Sequence, residues 1–391
     1  MSQAAGLLQI DTHAKGGMVR YLLTHARSVA GLVLAVALVW LLFSLFTGGI
    51  FIGERNLINL MRQTSVTAMI GLGMMVVIAQ GEIDLSVGSL LALCATVVGL
   101  VEASGAMPPF ATILIVLALG AAVGLWNGLL VARLGVPAFV ATLGGMLAFR
   151  GIALALSGGR TLSNISDGFR FPGEGFLTGP VLWAFLAVAL VVVLLPLRRL
   201  SDPGKRLGAV VRAGAGVAAI GLLAWASLSY RGLPMPVALT LVAAAVLAWA
   251  LANTVWGRHC FAVGGNRAAA HVAGIAVSRH LIVGFVLLGM LTGLAAVMFV
   301  GRLGAAPPEA GTFLELNAIA AVVIGGASLY GGSGTVFGVL MGALLMQSLS
   351  NGLSLLNVPS AFQNIASGAV LVLAVYIDVV SKRGGRLFLR Q

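Results

Sequence analysis

Long apolar runs, parted by short stretches rich in glycine, proline and arginine, set the pattern of this chain. They occupy about residues 28–52, 65–80, 86–103, 110–132, 137–157, 179–197, 208–229, 235–253, 279–301, 316–329, 335–352 and 362–380. None alternates at period two, so each reads as helix rather than barrel strand. About 20 such residues, rising 1.5 Å each, cross a hydrocarbon core of about 30 Å. The absence of water in that layer leaves helices as the spanning element here. The pattern predicts an all-α, polytopic membrane protein with about twelve transmembrane helices, forming a single transmembrane domain over 1–391.

Two places break the series. The runs on either side of residues 81–85 are short, which predicts that the carboxylates between them lie inside the membrane boundary. Later, 316–329 is shorter still and meets Tyr330-Gly331-Gly332-Ser333-Gly334. Both read as apolar helix, glycine and hydroxyl break, apolar helix. Paired interruptions in the two halves of a transporter point to a substrate route, because half-helix ends offer free backbone groups there.

Composition supports this class: 60% of residues are hydrophobic, 9% are charged and the mean hydropathy is +1.07, where soluble domains carry about 25% charged residues. The formal charge of +12 raises the question of nucleic acid, but the basic residues stand in short loops, where they orient a membrane protein. With both termini on the cytosolic side, 16 of the 23 basic residues fall there, six fall outside, and Arg150 lies within a span. Residues 1–27, with Lys15, Arg20 and Arg27, form a cytosolic N-terminal segment, and the run after them is too long for a signal-peptide core. Two cysteines build neither a disulfide framework nor a zinc site, and the five histidines lack ligand spacing. No phosphate-binding G-x-x-x-x-G-K-[ST] occurs, since Lys205 precedes Arg206 rather than a hydroxyl. ATP hydrolysis is therefore not a property of this chain.

The candidate chemistry sits in the first break, Gln80-Gly81-Glu82-Ile83-Asp84-Leu85-Ser86-Val87-Gly88-Ser89. A carboxylate at the centre of a span costs about 2.5 to 3.5 kcal/mol on insertion scales, so a pair is expected to face protein or water. Asp84 admits two readings: a cap accepting from the backbone N–H of Ser86 or Val87, or a pathway residue. Glu82 lies outside the cap and reads as facing a cavity. With Gln80, Ser86 and Ser89 these form the predicted substrate pathway, whose carboxylates would give the hydroxyls of an uncharged cargo charge-assisted acceptors. Between 254 and 279 a cytosolic loop carries Asn266 as a helix N-cap, an alanine run and Gly274 as a stop. That is a short helix suited to docking a partner, or else a solvated connector.

The stretches "GEIDLSVGS", "YRGLPMPV", "GRHCFAVGGNRAAAHVAGI", "GRLGAAPPEAGTFLELNAIAAVVIGGASL" and "NGLSLLNVPS", in this order over nearly the whole chain, resemble the permease subunits of the ribose and xylose class of sugar ABC importers. Glu82 and the inserted pair of spans at 179–230 make it similar to the xylose type, which implies a pentose substrate, D-xylose first. The resemblance implies a pore-forming subunit of the bacterial inner membrane, working as a homodimer with an ATP-binding cassette ATPase that holds ATP and Mg, and with a periplasmic sugar-binding protein. It makes Gly264, Gly265, Asn266, His271 and Gly274 the ATPase-coupling loop, and the outer loop with Arg302, Glu309 and Glu315 the binding-protein dock. The chain departs from the family at Asn317, generally Asp, and at His271, commonly Arg. A different class, a proton-coupled secondary transporter using Glu82 and Asp84, also accounts for buried carboxylates. A scaffold without transport leaves them unexplained.

Overall fold

The structure, a computed structural model, describes residues 31–194 and 203–382. The predicted N-terminal segment 1–27 and part of the basic loop of the inserted pair lie outside them. Each of the twelve apolar runs carries a helix: α1 (Gly31–Phe46), α2 (Glu54–Ala79), α3 (Val87–Ser104), α4 (Pro109–Ala132), α5 (Ala138–Ser157), α7 (Gly179–Leu194), α8 (Pro203–Ser229), α9 (Met235–Asn253), α12 (Val277–Leu303), α13 (Leu314–Ile324), α14 (Val336–Leu355) and α15 (Ser360–Lys382). Seven of these, α2, α3, α4, α5, α9, α12 and α14, are long and apolar enough to cross a membrane. Three short helices join them: α6 (Asp167–Glu174), α10 (Val255–Gly265) and α11 (Arg267–Val272). A two-stranded antiparallel ribbon, β1 (Phe176–Leu177) with β2 (Leu233–Pro234), ties both ends of the inserted α7–α8 pair together.

The core is organised on α2. Every residue from Ser65 to Gln80 is buried, and α3, α12, α13 and α14 supply much of the surrounding apolar cluster. A helix that is apolar all round is stable only in such a position. Its 26 residues extend about 39 Å, well beyond the apolar run 65–80. The reason is that its first three turns carry Glu54, Arg55, Asn56, Asn59, Arg62 and Gln63, which hide a continuous helix from a reading of apolar length. This corrects the expected depth of the first break, which stands at the end of a full-length span.

Small residues set the helix spacing, since lipid gives no hydrophobic drive for helices to associate. On α4, Gly120, Gly124 and Gly128 recur every four residues and face α12, where a Cβ at any of them would collide with backbone or Phe285. Trp40 on α1 donates from Nε1 to Ser348 Oγ at 2.9 Å, and Phe43 covers Gly352, which fixes α1 on α14.

After α12 the chain runs back into the bundle. Ala306 pairs with Leu162 through two backbone hydrogen bonds of 2.7 and 3.1 Å, against Gly99 of α3. Gly311 and Glu315 then pack on Gly88 at the other end of α3, about 16 Å further along the helix. Arg150 of α5 holds this inward segment, donating from Nη1 to the carbonyls of Pro308 and Ala310, each at 2.9 Å. An arginine within a span is thus explained by backbone acceptors that belong to no helix.

Candidate functional site

Both breaks begin with the same helix ending. At α2, Gly81 (φ +83°) donates its N–H to Ile78 and Glu82 donates to Val77, at 2.9 and 3.1 Å. At α13, Gly326 (φ +88°) donates to Val323 and Ala327 to Val322, again at 2.9 and 3.1 Å. This left-handed glycine stop satisfies the last carbonyls of each helix. The paired interruption read from the sequence therefore has a backbone counterpart.

The two breaks meet on the loop helices α10 and α11. The N–H of Gly332, in the second break, donates to the carbonyl of Ala79, the last residue of α2, at 2.9 Å. Gly264 of α10 lies against both: a Cβ there would collide with Ala79 O and come within 2.7 Å of Gly332 N. Gly331 in turn has room for no side chain beside Gly264 O, at 2.8 Å. Three glycines from two segments thus bring three backbones, those of α10, the second break and the end of α2, to one point, which is why no larger residue fits. The segment 254–265, read from sequence as loop, forms α10 because Thr254 caps it, accepting from Gly257 N–H at 3.2 Å; Gly257 and Gly264 serve packing rather than flexibility. Asn266 caps α11 through Ala269 N–H at 2.9 Å, and Gly274 (φ +79°) ends it. Along α11 only Ala270 is buried; His271 is exposed and Val272 projects at 88% exposure. Gly265 is exposed beside them.

The predicted pathway residues separate into different roles. Gln80 is buried, donating from Nε2 to Cys260 Sγ of α10 at 3.2 Å, in space that Gly284 leaves on α12; burial pushes the Cys260 thiol up to about 11. Glu82, expected to face a cavity, instead accepts from Arg267 Nη2 of α11 at 2.6 Å with its side chain 13% exposed. Arg267 also reaches Gln80 O at 3.4 Å. Asp84 is buried two residues before the N-cap Ser86 of α3, so instead of capping the helix it closes a turn onto that residue: Oδ1 accepts from Ser86 N–H at 2.7 Å and Ser86 Oγ at 2.6 Å. Asn127 of α4 adds bonds from Nδ2 to Asp84 Oδ2 at 3.3 Å and to Ser86 Oγ at 3.0 Å. Ser89 is buried in the same first turn of α3. Asn127 and Arg267 were not assigned roles from sequence; a single amide inside an otherwise apolar span was the available signal for the first.

The family model described as "Branched-chain amino acid transport system / permease component" matches residues 56–375. The chain belongs to this permease family. Among its relatives, the Xylose transport system permease protein XylH of Haemophilus influenzae is 40% identical over 368 residues, covering 90% of this permease and 96% of the relative. The protein of the same name from Escherichia coli is 38% identical, over 90% and 92%, and the Ribose import permease protein RbsC of Haemophilus influenzae is 34% identical, over 91% and 93%. No solved structure matches the permease.

The proposed docking residues also part company. Glu309 is exposed, and Arg302 ends α12 beside Gly173 of α6. Glu315 is carried inward to Gly88, because the residues before it follow α3 instead of looping over the bundle end. Asn317 lines a small cavity of about 150 Å³ between α13, α14 and α15. A carboxylate missed in the sequence, Glu102, is buried at the far end of α3, where Thr112 Oγ1 donates to Oε1 at 2.7 Å and Ser166 Oγ donates to Oε2.

Proposed function

We propose that this permease is the membrane-spanning subunit of an ATP-driven importer for a pentose, D-xylose first. It works in two copies in the bacterial inner membrane, with both termini cytosolic, alongside a separate ATPase that binds ATP and Mg and an external sugar-binding protein. The observation that carries the reading is the seating of Gly264 on Ala79 and Gly332. A force applied to α10 and α11 reaches both broken helices through backbone contact, with no flexible side chain to absorb it. The exposed face of α11, with His271 and Val272, is the surface for the ATPase. Names and identities of the relatives support sugar as cargo. The Glu82–Arg267 pair adds a polar tie between the first break and α11.

A proton-coupled carrier draws support from one observation: Asp84 is buried and, among the described residues, its partners Ser86 and Asn127 are neutral. In reconstituted vesicles, uptake of D-xylose is expected to require ATP, the ATPase and the binding protein, and to ignore an uncoupler. Accumulation driven by a pH gradient without those partners would overturn the importer in favour of the carrier.

A further inference from the structure

At the end of α2 away from α10, the helix opens beside α14 and the first turn of α15 onto a cavity of about 210 Å³. Its lining includes Asn56, Asn59, Gln63, Ser350, Asn351 and Ser354, with Gln363 closing one side and Leu355 as its apolar member. No charged side chain lines it.

The wall is partly fixed and partly free. Asn56 Nδ2 donates to Phe51 O at 2.8 Å and to Asn351 Oδ1 at 2.9 Å; Asn351 returns a bond to Asn56 Oδ1 at 3.1 Å. Gln363 Nε2 donates to Val358 O at 2.8 Å. Asn59, Gln63, Ser350 and Ser354 make no side-chain hydrogen bond among the described residues. Further along α2 the space is shut by Gln347 Nε2 donating to Thr67 Oγ1 at 2.7 Å, and then by Val339 against Gly71. The result is a blind vestibule with a preorganised frame and uncommitted polar groups.

Amides and hydroxyls both donate and accept, as sugar hydroxyls do, whereas an ion would meet no countercharge here. The volume is below the roughly 300 to 1,000 Å³ of pockets for drug-sized ligands, a size for one monosaccharide. We propose that this vestibule binds a neutral monosaccharide through its hydroxyls, with Asn59 and Gln63 as the principal ligands on α2 and Ser350 and Ser354 facing them on α14. Its place in transport, as the position the sugar takes on leaving an external binding protein, rests on the importer reading; the binding itself does not.

Saturation-transfer NMR on the detergent-solubilised full chain tests this with D-xylose and the anionic D-glucuronate. D-Xylose is expected to give a signal that falls at least fivefold in Asn59→Ala/Gln63→Ala, and D-glucuronate is expected to give none. No xylose signal, an equal signal in the double variant, or glucuronate matching xylose would each overturn the site. Gln63→Glu gives a second readout should the double variant misfold: it is expected to acquire preference for cationic D-glucosamine over xylose, and unchanged selectivity counts against the proposal. ATP-driven uptake undiminished in the double variant would retain the importer and remove the vestibule's place in transport. Binding that depends on Asn59 and Gln63 in a chain whose uptake needs no ATPase would do the reverse.

Discussion

The two breaks start from the same glycine stop and then solve the same problem with different chemistry. Between α2 and α3, side chains do it: Asp84, Ser86 and Asn127 exchange hydrogen bonds over the first turn of α3. Between α13 and α14, backbone contact does most of it: Gly325 lies on Gly338 and Gly332 bonds Ala79, with one side-chain addition from Thr335, whose Oγ1 accepts from Gly338 N–H at 3.1 Å to cap α14. A break held by side chains tolerates an isostere. A break held by backbone contact tolerates no added atom, because neither partner can rotate away.

The largest effect is expected where both breaks meet. Gly264→Ala introduces a Cβ that collides with Ala79 O, so uptake should drop to background while membrane insertion persists; wild-type uptake would show that the junction has slack. Next comes Gly338→Ala, whose Cβ would collide with Gly325 O. Overpacking of this kind costs about 1 to 3 kcal/mol, to be read as a lowered melting temperature of the purified permease. In the first break, Asp84→Asn should be nearly silent in the same assay, since its side-chain oxygen can still accept from Ser86, while Asp84→Ala should lose about 1 kcal/mol. Equal losses for the two would mean that the charge, not the turn, is what the site uses, which returns weight to the proton carrier.

The smallest effect is expected from the Glu82–Arg267 pair. The arginine is half-exposed, and such pairs contribute about 0 to 1 kcal/mol and weaken with salt. Glu82→Gln should reduce uptake modestly, and the exchange Glu82→Arg/Arg267→Glu should restore it. Complete loss with no rescue would place Glu82 on the sugar route after all.

The helices were legible because a span must be apolar where it crosses the hydrocarbon core; each of the twelve runs carries a helix, while the polar start of α2 escaped that signal. Chemistry was less legible where the signal depended on neighbours. The Asp84–Ser86 bond was readable because the two residues are neighbours in the chain, although it closes a turn ahead of α3 rather than capping the helix. Glu82 was not, because Arg267 lies 185 residues along the chain. The inward segment 304–313 carries prolines and no apolar run, so it reads as a surface loop until Arg150 and Gly88 show what holds it. In α10, glycines that permit close packing look in sequence like glycines that end helices.

The unbroken α2 has a thermodynamic corollary. It extends without interruption from Asn56 in the sugar vestibule to Ala79 under Gly264, so both ligands would act on one rod. Linkage makes such coupling reciprocal: whatever factor the docked ATPase imposes on sugar affinity at Asn59 and Gln63, sugar must impose on ATPase affinity at α11. A titration of the ATPase onto the permease, with and without saturating D-xylose, would measure that factor from the opposite end.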